Sequence, residues 1–135
     1  MTRVFSDTSA LIALRDAGDS NHERAVGWFN DRLSAGGVRL ILTNYVLAET
    51  HSFFCRHPQE ALAYAERIRK DRIFDIMRAS AADEAEAWDI LRGSADKTYS
   101  FVDAVSFAVM RRCRIASVLA FDEHFRQFGH FAVVP

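Results

Sequence analysis

Four acidic side chains stand in apolar surroundings, whereas most of the 18 acidic residues lie in charged, solvated stretches such as ADEAEAWD. Asp7 directly follows the short apolar stretch VFS, and Asp122 directly follows IASVLAF, the most hydrophobic stretch of the chain. Asp103 is the only charged residue within SFVDAVSFAVM. Glu49 has mostly apolar neighbours at helical spacing, which predicts that it points into an apolar helix face. Carboxylates in such places are costly unless a cation or a hydrogen-bond donor meets them.

Helix capping offers an alternative explanation for three of these acids. Asp7 can cap the helix that follows it, because a carboxylate oxygen accepts the free backbone N–H groups of a first turn. Ser100 and Asp103 have the spacing of a capping box, and Asp122 can cap the short turn after it. Capping does not explain Glu49, which has no lysine or arginine within a helical turn.

The carboxyl ends of parallel strands lie at one edge of a sheet, so a parallel sheet would bring the four carboxylates to one rim. Ligands of open parallel sheets bind at this edge. Asp7 and Asp122 follow predicted strands, Glu49 lies near the start of the helix after the second strand, and Asp103 lies in a first helical turn. At separations of about 5 Å, each like-charge pair would cost roughly 3 kcal/mol at an effective dielectric of 20. A divalent cation removes this repulsion, and all-oxygen ligands favour Mg²⁺ or Mn²⁺.

Such a metal site suits phosphoryl transfer, above all phosphodiester hydrolysis, in which one or two ions polarise the phosphate, activate water and stabilise the leaving oxygen. The chain has no G-x-x-x-x-G-K-[ST] loop and no G-x-G-x-x-G motif, which argues against a P-loop NTPase and a dinucleotide site. An aspartyl-phosphate phosphatase has a second Asp two residues after the first, where this chain has Ser9. The five histidines form no H-x-x-x-H pair, so a zinc site is not predicted.

Alternating strands and helices are predicted to hold these residues. Apolar runs predict strands at Arg3–Ser6, Arg39–Thr43, Arg72–Met77, Ile115–Phe121 and the final FAVVP. Helical periodicity and stop signals predict helices at His22–Ala35, Asn44–Cys55, Pro58–Lys70, Ser80 to Gly93 and Ser100–Arg112, with a short turn at Glu123–Phe128. The predicted fold class is therefore α/β, with one domain over residues 1–135 and a mostly parallel sheet sandwiched by helices.

The charge balance gives no global footprint of a nucleic-acid-binding protein, because 17 basic and 18 acidic residues leave a net charge of −1. A bound metal would supply positive charge at the scissile phosphate, so RNA contacts need only a local rim of basic side chains. Candidates for this rim are Arg15, Arg56, Lys97, Arg111, Arg112 and Arg114. Two separate cysteines, no basic and apolar leader, and no apolar run of about 20 residues predict a cytoplasmic protein without a membrane span.

Four motifs in order resemble those of the PIN-domain ribonucleases and, among these, the VapC-type toxins of bacterial toxin–antitoxin pairs. The motifs are DTSAL after the first strand, NYVLAET on an early helix, YSFVDAVSFAVM, and AFDEHFRQFG near the end, and together they span the chain. Carried over residue by residue, the resemblance implies an acidic site of Asp7, Glu49, Asp103 and Asp122, with small hydroxyl residues beside the metal at Thr8 or Ser9 and at Ser100.

The resemblance also implies a Mg²⁺-dependent endoribonuclease that acts on RNA, forms a homodimer and is occluded by a small antitoxin protein. In such a site we expect Asp7 and Asp103 to be direct metal ligands. We expect Asp122 to bind a second ion or hydration water, and Glu49 to contribute a ligand oxygen or to orient the attacking water. Excess apolar residues on the helices predicted at Asn44–Cys55 and Pro58–Lys70 favour an isologous dimer.

Two other functions remain open at this point. The chain can be a PIN-like binding module with negligible turnover, although its complete set of acids argues against this. It can also be a metal-dependent nuclease that acts on DNA, but it has no arch or helix–hairpin–helix segment for holding duplex DNA. A metal-dependent cleavage assay on RNA discriminates between these functions.

Overall fold

Five parallel strands form the central sheet of the protein, and the computed structural model describes residues 1–135. The strands are β1 (Thr2–Ser6), β2 (Val38–Thr43), β3 (Phe74–Met77), β4 (Ser117–Leu119) and β5 (Ala132–Val134). They lie in the order β3-β2-β1-β4-β5, and every neighbouring pair is parallel. The predicted α/β fold with a parallel sheet is confirmed.

Seven helices accompany the strands: α1 (Thr8–Arg15), α2 (His22–Ser34), α3 (Asn44–Phe54), α4 (Pro58–Lys70), α5 (Ala81–Arg92), α6 (Phe101–Arg112) and α7 (His124–Phe128). The predicted helices agree with these to within one residue at each end. The small differences arise because Ser80 and Ser100 act as N-caps and Gly93 as a C-cap, just outside the helices themselves. None of the helices combines the length and apolar character needed to cross a membrane.

Three strands match the predicted bounds to within one residue at each end, and the other two differ by two residues. The strand predicted at Ile115–Phe121 stops at Leu119, because the N–H of Phe121 donates to the hydroxyl of Ser9 instead of to a neighbouring strand. Asp122 therefore lies in the loop between β4 and α7 and not at the strand end itself. The third strand begins two residues later than predicted, because the carboxylate of Asp71 holds the preceding backbone in a turn.

Alternate side chains of the strands pack against helices on the two faces of the sheet. Val4 and Leu40 belong to a cluster with side chains of α1 and α2. Phe5 and Ile41 belong to the larger cluster, which includes Phe107 of α6. Because β1 and β4 are parallel neighbours, the loops at their carboxyl ends meet at one rim of the sheet. Helices cover both faces of the sheet, so this rim is where a ligand can bind.

Candidate active site

Asp7 lies directly after β1, at the point where the winding of the sheet reverses. The chain passes from β1 to β2 and β3 on one side, and β4 and β5 lie on the other. Such a switch point is the usual ligand-binding crevice of an open parallel sheet. The residue is only 2% exposed. Its Oδ2 accepts hydrogen bonds from the N–H of Ser9 at 3.3 Å and from Ser9 Oγ at 2.8 Å, so Asp7 also caps α1.

Asp103 occupies the first turn of α6 and is held from two sides. Its N–H donates to Ser100 Oγ at 3.0 Å, and its Oδ2 accepts the N–H of Ser100 at 3.0 Å, which completes the predicted capping box. The same Oδ2 lies 2.6 Å from Nδ1 of His124, at the start of α7. The other ring nitrogen of His124 lies 3.4 Å from the hydroxyl of Thr98. These contacts orient the Asp103 carboxylate and leave its Oδ1 unengaged.

Asp122 connects the first two acids. Its Oδ1 accepts the N–H of His124 at 3.0 Å, and its carboxyl group is near enough to Asp7 to raise the pKa of that residue. One ligand atom each from Asp103, Asp122 and His124 lie within 4.8 Å of one another. The structure thus brings together three carboxylates that are far apart in the sequence and come from the end of β1, from α6 and from the loop after β4.

The cluster holds negative charge in a poorly solvated place. Burial raises the pKa of Asp7 well above its ordinary value, and the neighbouring charge and hydrogen bond of Asp122 raise it further, against a smaller lowering by Ser9. Burial also raises the pKa of Asp103, although the backbone N–H of Ser100 and the charge of His124 oppose this. Both shifts report carboxylates that would be more stable as ions if a cation were beside them.

The donor set of the cluster fits a hard divalent cation. In each of the three carboxylates one oxygen is held by donors of the chain, while Asp7 Oδ1, Asp103 Oδ1 and Asp122 Oδ2 accept no backbone or hydroxyl donor. The buried hydroxyl of Thr8, next in the chain to Asp7, has no hydrogen-bond partner at all. Oriented carboxylate oxygens with free lone pairs are the ligands that Mg²⁺ and Mn²⁺ prefer.

Glu49 lies apart from the close group of acids. The residue is half-buried and forms no ion pair, and it lines an open groove between α1 and α3 together with Thr8, Ile12 and Phe53. The apolar face predicted around Glu49 is the side of α3 that faces this groove, where Ile12 and Phe53 lie with it, and not the fully buried side of Val46 and Thr50. Glu49 faces the groove that leads from Thr8, so a substrate bound at the rim can reach it.

The predicted basic rim divides into two groups. Arg15 and Arg56 line a surface cavity of about 420 Å³, which shares Phe53 with the groove of Glu49. Lys97 lies in the loop before α6, next to Thr98, and pairs with Asp96 at 3.1 Å. Of these three residues, Lys97 lies three positions before Ser100 of the cap, whereas Arg15 ends α1 and Arg56 lies just after the end of α3.

The other three arginines lie at the far end of α6. Arg112 is about 14 Å along the helix from Asp103, and it donates two hydrogen bonds of 2.8 Å to the buried carboxylate of Asp83. Arg111 pairs with Glu86 at 3.5 Å, and Arg114 follows the end of the helix. The structure therefore does not bring this run to the rim, and Arg112 has a structural partner.

His124 is the residue of the cluster that sequence reasoning missed. The five histidines form no H-x-x-x-H pair, so none of them was a predicted ligand. The signal in the sequence was the spacing Asp122-x-His124, which places an imidazole beside a carboxylate at the start of a short helix. Its contact with Asp103 depends on how α6 and α7 approach each other, which no local pattern shows.

The comparisons with known proteins agree with this geometry. The family model for the PIN domain matches residues 4–130. The chain is 38% identical over 136 residues to the 23S rRNA-specific endonuclease VapC20 of Mycobacterium tuberculosis, and the match covers 98% of each chain. The crystal structure of M. tuberculosis VapC20, a sarcin–ricin loop cleaving toxin, is 36% identical with a TM-score of 0.83, and covers 98% of this chain and 99% of that one.

Two more distant structures share the fold. A crystal structure of FitAcB from Neisseria gonorrhoeae is 20% identical with a TM-score of 0.65, covering 98% of this chain and 96% of that chain. VapBC2 from Rickettsia felis, solved with a promoter DNA fragment, is 13% identical with a TM-score of 0.69, covering 98% and 97%. With the acidic rim, the family match and the VapC20 relative taken together, the chain belongs to the PIN-domain family and, within it, to the VapC-type endoribonuclease toxins.

Proposed function

We propose that the chain is a Mg²⁺-dependent endoribonuclease whose metal is held by Asp7, Asp103 and Asp122. The observation that carries this proposal is the convergence of the three carboxylates at the switch point of the sheet. Mn²⁺ has the same preference for oxygen ligands and is expected to substitute for Mg²⁺. The free oxygens of Asp7 and Asp103 are the direct ligands, and Asp122 binds a second ion or hydration water.

The residues of the chain act by positioning. A bound divalent cation supplies Lewis acidity at the scissile phosphate and lowers the pKa of water. Ser9, Ser100 and His124 hold one oxygen of Asp7 or Asp103 and thereby fix the direction of the other. The hydroxyl of Thr8, buried without a hydrogen-bond partner, is the small hydroxyl group proposed to lie beside the metal. Glu49, across the groove from Thr8, contributes a ligand oxygen or orients the attacking water.

The substrate class proposed for this chain is 23S ribosomal RNA. This rests on 38% identity, over nearly the full length of both chains, to a relative that is a 23S rRNA-specific endonuclease. The similar VapC20 structure is that of a toxin that cleaves the sarcin–ricin loop. A ribosomal target also places the protein in the cytoplasm, where both of its cysteines are expected to be reduced.

The assembly proposed for this chain is a homodimer that is inhibited by a small antitoxin protein. The antitoxin follows from the family, because VapC-type proteins are the toxins of toxin–antitoxin pairs. Support for a dimer comes from apolar side chains that the single chain leaves exposed on α3 and α4, where Phe53 and Leu62 are each 55% exposed.

The proposal is tested by cleavage of purified 23S rRNA with Mg²⁺, with EDTA, and after re-addition of Mg²⁺ or Mn²⁺. The parent is expected to cut only when metal is present. Asp7→Asn preserves the shape of the side chain but removes a charged ligand, so its cleavage rate should fall by at least about a hundredfold. The matched control is Asp31→Asn, which alters an exposed, unpaired carboxylate on α2 and should leave cleavage unchanged. EDTA-resistant cleavage by Asp7→Asn would contradict the proposal.

A further inference from the structure

Arg24 is an unpaired cation at the edge of the acidic cluster. It lies in the first turn of α2, is exposed, and its guanidinium carbon is 5.5 Å from the centroid of the Phe121 ring. It takes part in none of the six ion pairs of the chain. A guanidinium group that stacks on an aromatic face keeps the N–H donors of its edge free. Arg24 therefore presents oriented, unused donors to solvent.

Phe121, the ring beneath Arg24, is anchored to the cluster. Its backbone N–H donates to Ser9 Oγ at 3.0 Å, and Ser9 Oγ donates in turn to Asp7 Oδ2 at 2.8 Å. The next residue in the chain is Asp122. One peptide bond and two hydrogen bonds therefore fix the backbone of Phe121 relative to two carboxylates of the cluster, and the Arg24 guanidinium lies over its ring.

Arg24 is placed to contact a phosphate that flanks the scissile phosphate in the RNA strand, and not the scissile phosphate itself. The guanidinium carbon of Arg24 is 5.5 Å from the centroid of the Phe121 ring, and Asp122 is the next residue after Phe121. The charge of Arg24 therefore lies within about 15 Å of the Asp122 carboxylate. Arg24 is nevertheless outside ion-pair distance of every acid in the cluster, so it does not neutralise the cluster. A strand whose scissile phosphate lies at the carboxylates can place a flanking phosphate at this guanidinium.

We propose that Arg24 binds a backbone phosphate of the RNA strand that flanks the scissile phosphate, and so positions the strand at the acidic cluster. This inference rests on the proposed ribonuclease function. A chain with a net charge of −1 and buried carboxylates in its site needs local cations to accept a polyanion. Arginine suits this role because its planar fork binds two phosphate oxygens at once.

The chain contains a matched control for this residue. Arg32 lies on the same helix and stacks on Trp28, with its guanidinium carbon 5.9 Å from the ring centroid, and it also forms no ion pair. Its position eight residues later places it about 12 Å further along α2. Arg24 and Arg32 therefore share residue type, helix, exposure and stacking, and differ in their distance from the cluster.

The experiment compares full-length parent, Arg24→Gln, Arg24→Lys and Arg32→Gln in cleavage of purified 23S rRNA with Mg²⁺ over a series of KCl concentrations. Arg24→Gln is expected to raise KM by about tenfold with kcat within about twofold of the parent. In a plot of log(kcat/KM) against log[KCl], the slope for Arg24→Gln should be less steep than that of the parent by about 0.7. This is the value expected for the loss of one phosphate contact on a single strand. Arg24→Lys should retain the slope with a smaller rise in KM, and Arg32→Gln should match the parent.

The possible outcomes separate this inference from the proposed function. If the parent cleaves no RNA in the presence of metal, the ribonuclease proposal fails and the inference fails with it. If the parent cleaves but Arg24→Gln keeps the parental KM and salt slope, the inference alone is overturned. A lower melting temperature of Arg24→Gln with an unchanged salt slope assigns Arg24 a purely structural role and also overturns it.

Discussion

A single carboxylate can cap a helix and bind a metal, because the two tasks use different oxygens. Asp7 Oδ2 accepts two hydrogen bonds from Ser9, and Asp103 Oδ2 accepts from Ser100 and His124. The other oxygen of each carboxylate accepts no backbone or hydroxyl donor and so remains available to a metal ion. Capping and catalysis are therefore not competing explanations of these residues. The cap fixes the direction in which the free oxygen points, which preorganises the site.

The stability of the metal-free protein should depend on pH through Asp7. Burial, and then Asp122, raise the pKa of Asp7 in the folded protein above the ordinary value of 3.8. The folded state is therefore favoured while Asp7 is protonated in both states, below about pH 3.8. This contribution to stability is lost as pH rises through the raised pKa. In EDTA, Asp7→Asn should therefore gain stability relative to the parent as pH rises from about 4 through the raised pKa of Asp7, because only the parent must bury a carboxylate that ionises there. Urea unfolding at a series of pH values measures this difference.

Asp31→Asn serves as the control for the pH series, since the carboxylate it removes is exposed and unpaired. Its unfolding free energy should follow that of the parent at every pH. Parallel curves for the parent and Asp7→Asn would show that Asp7 carries no raised pKa, and the electrostatic account of the cluster would be wrong.

At the scale of single residues, the sequence predicted the acids better than their surroundings. Asp7, Asp103 and Asp122 could be singled out because a charge in an apolar stretch is visible locally. The spacing around Glu49 predicted apolar neighbours but not that they line an open groove, since spacing on a helix does not show whether a neighbouring helix covers that face. The part played by His124 was missed because its contact with Asp103 forms only when α6 and α7 meet.

At the scale of elements, α5 and α6 begin with the same device. Ser80 and Asp83 form a capping box on α5, as Ser100 and Asp103 do on α6. The α5 box faces Arg112, which donates twice to the Asp83 carboxylate. The α6 box faces the acidic cluster instead. One motif thus supports an ion pair between helices in the first case and orients a carboxylate proposed as a metal ligand in the second.

This duplication allows the structural and catalytic effects of a cap to be separated. Ser100→Ala and Ser80→Ala should each lower the free energy of unfolding by about 1 kcal/mol, because each removes a serine N-cap. Only Ser100→Ala should also lower kcat, by about tenfold or more, because the Asp103 carboxylate loses part of its orientation. Urea unfolding and RNA cleavage of the two variants test this. Equal losses of kcat in both would mean that Asp103 needs no help from its cap.

Helix ends were predicted more accurately than strand ends, for a physical reason. Helix boundaries depend on local signals such as Ser80, Ser100 and Pro58, which are read directly from the sequence. Strand ends depend on partners elsewhere in the chain. The strand predicted to reach Phe121 stops early because that residue bonds to Ser9, more than a hundred residues away. The pairing of Arg112 with Asp83 likewise depends on the packing of α5 against α6, so the sequence alone left Arg112 as one candidate for an RNA contact.

At the scale of the whole molecule, the topology of the sheet assembles the site. The sheet order places β1 beside β4, so the residue after β1 meets the loop after β4 although 115 positions separate Asp7 from Asp122. The alternation of strands and helices predicted a parallel sheet and a rim of carboxyl ends. It did not predict the strand order, which depends on the packing of all the helices together.

The proposed homodimer involves fewer residues than the sequence indicated. Of the apolar side chains on α3 and α4, Tyr45 and Tyr64 pack within the chain, whereas Phe53 and Leu62 remain 55% exposed. Sedimentation at micromolar concentration should give twice the chain mass of 15.3 kDa. Leu62→Glu should weaken the dimer, whereas Leu33→Glu, at a 44% exposed position on α2, should not. A parent that sediments only as a 15.3 kDa species would exclude the dimer.

Metal binding should stabilise the whole fold, because the cluster joins β1, α6 and the loop after β4 into one site. The unfolded chain does not hold its three acids together, so Mg²⁺ binds the native state selectively. At ten times its dissociation constant Mg²⁺ should add about 1.4 kcal/mol to the free energy of unfolding, which raises the melting temperature by about 5 °C at this chain length. Thermal scans in EDTA and in a Mg²⁺ or Mn²⁺ series measure the shift. Asp31→Asn should keep the shift and Asp7→Asn should lose most of it, since only the second variant removes a ligand and part of the repulsion that the ion relieves. A parent whose melting temperature does not respond to millimolar Mg²⁺ or Mn²⁺ would show that the three carboxylates do not form a metal site.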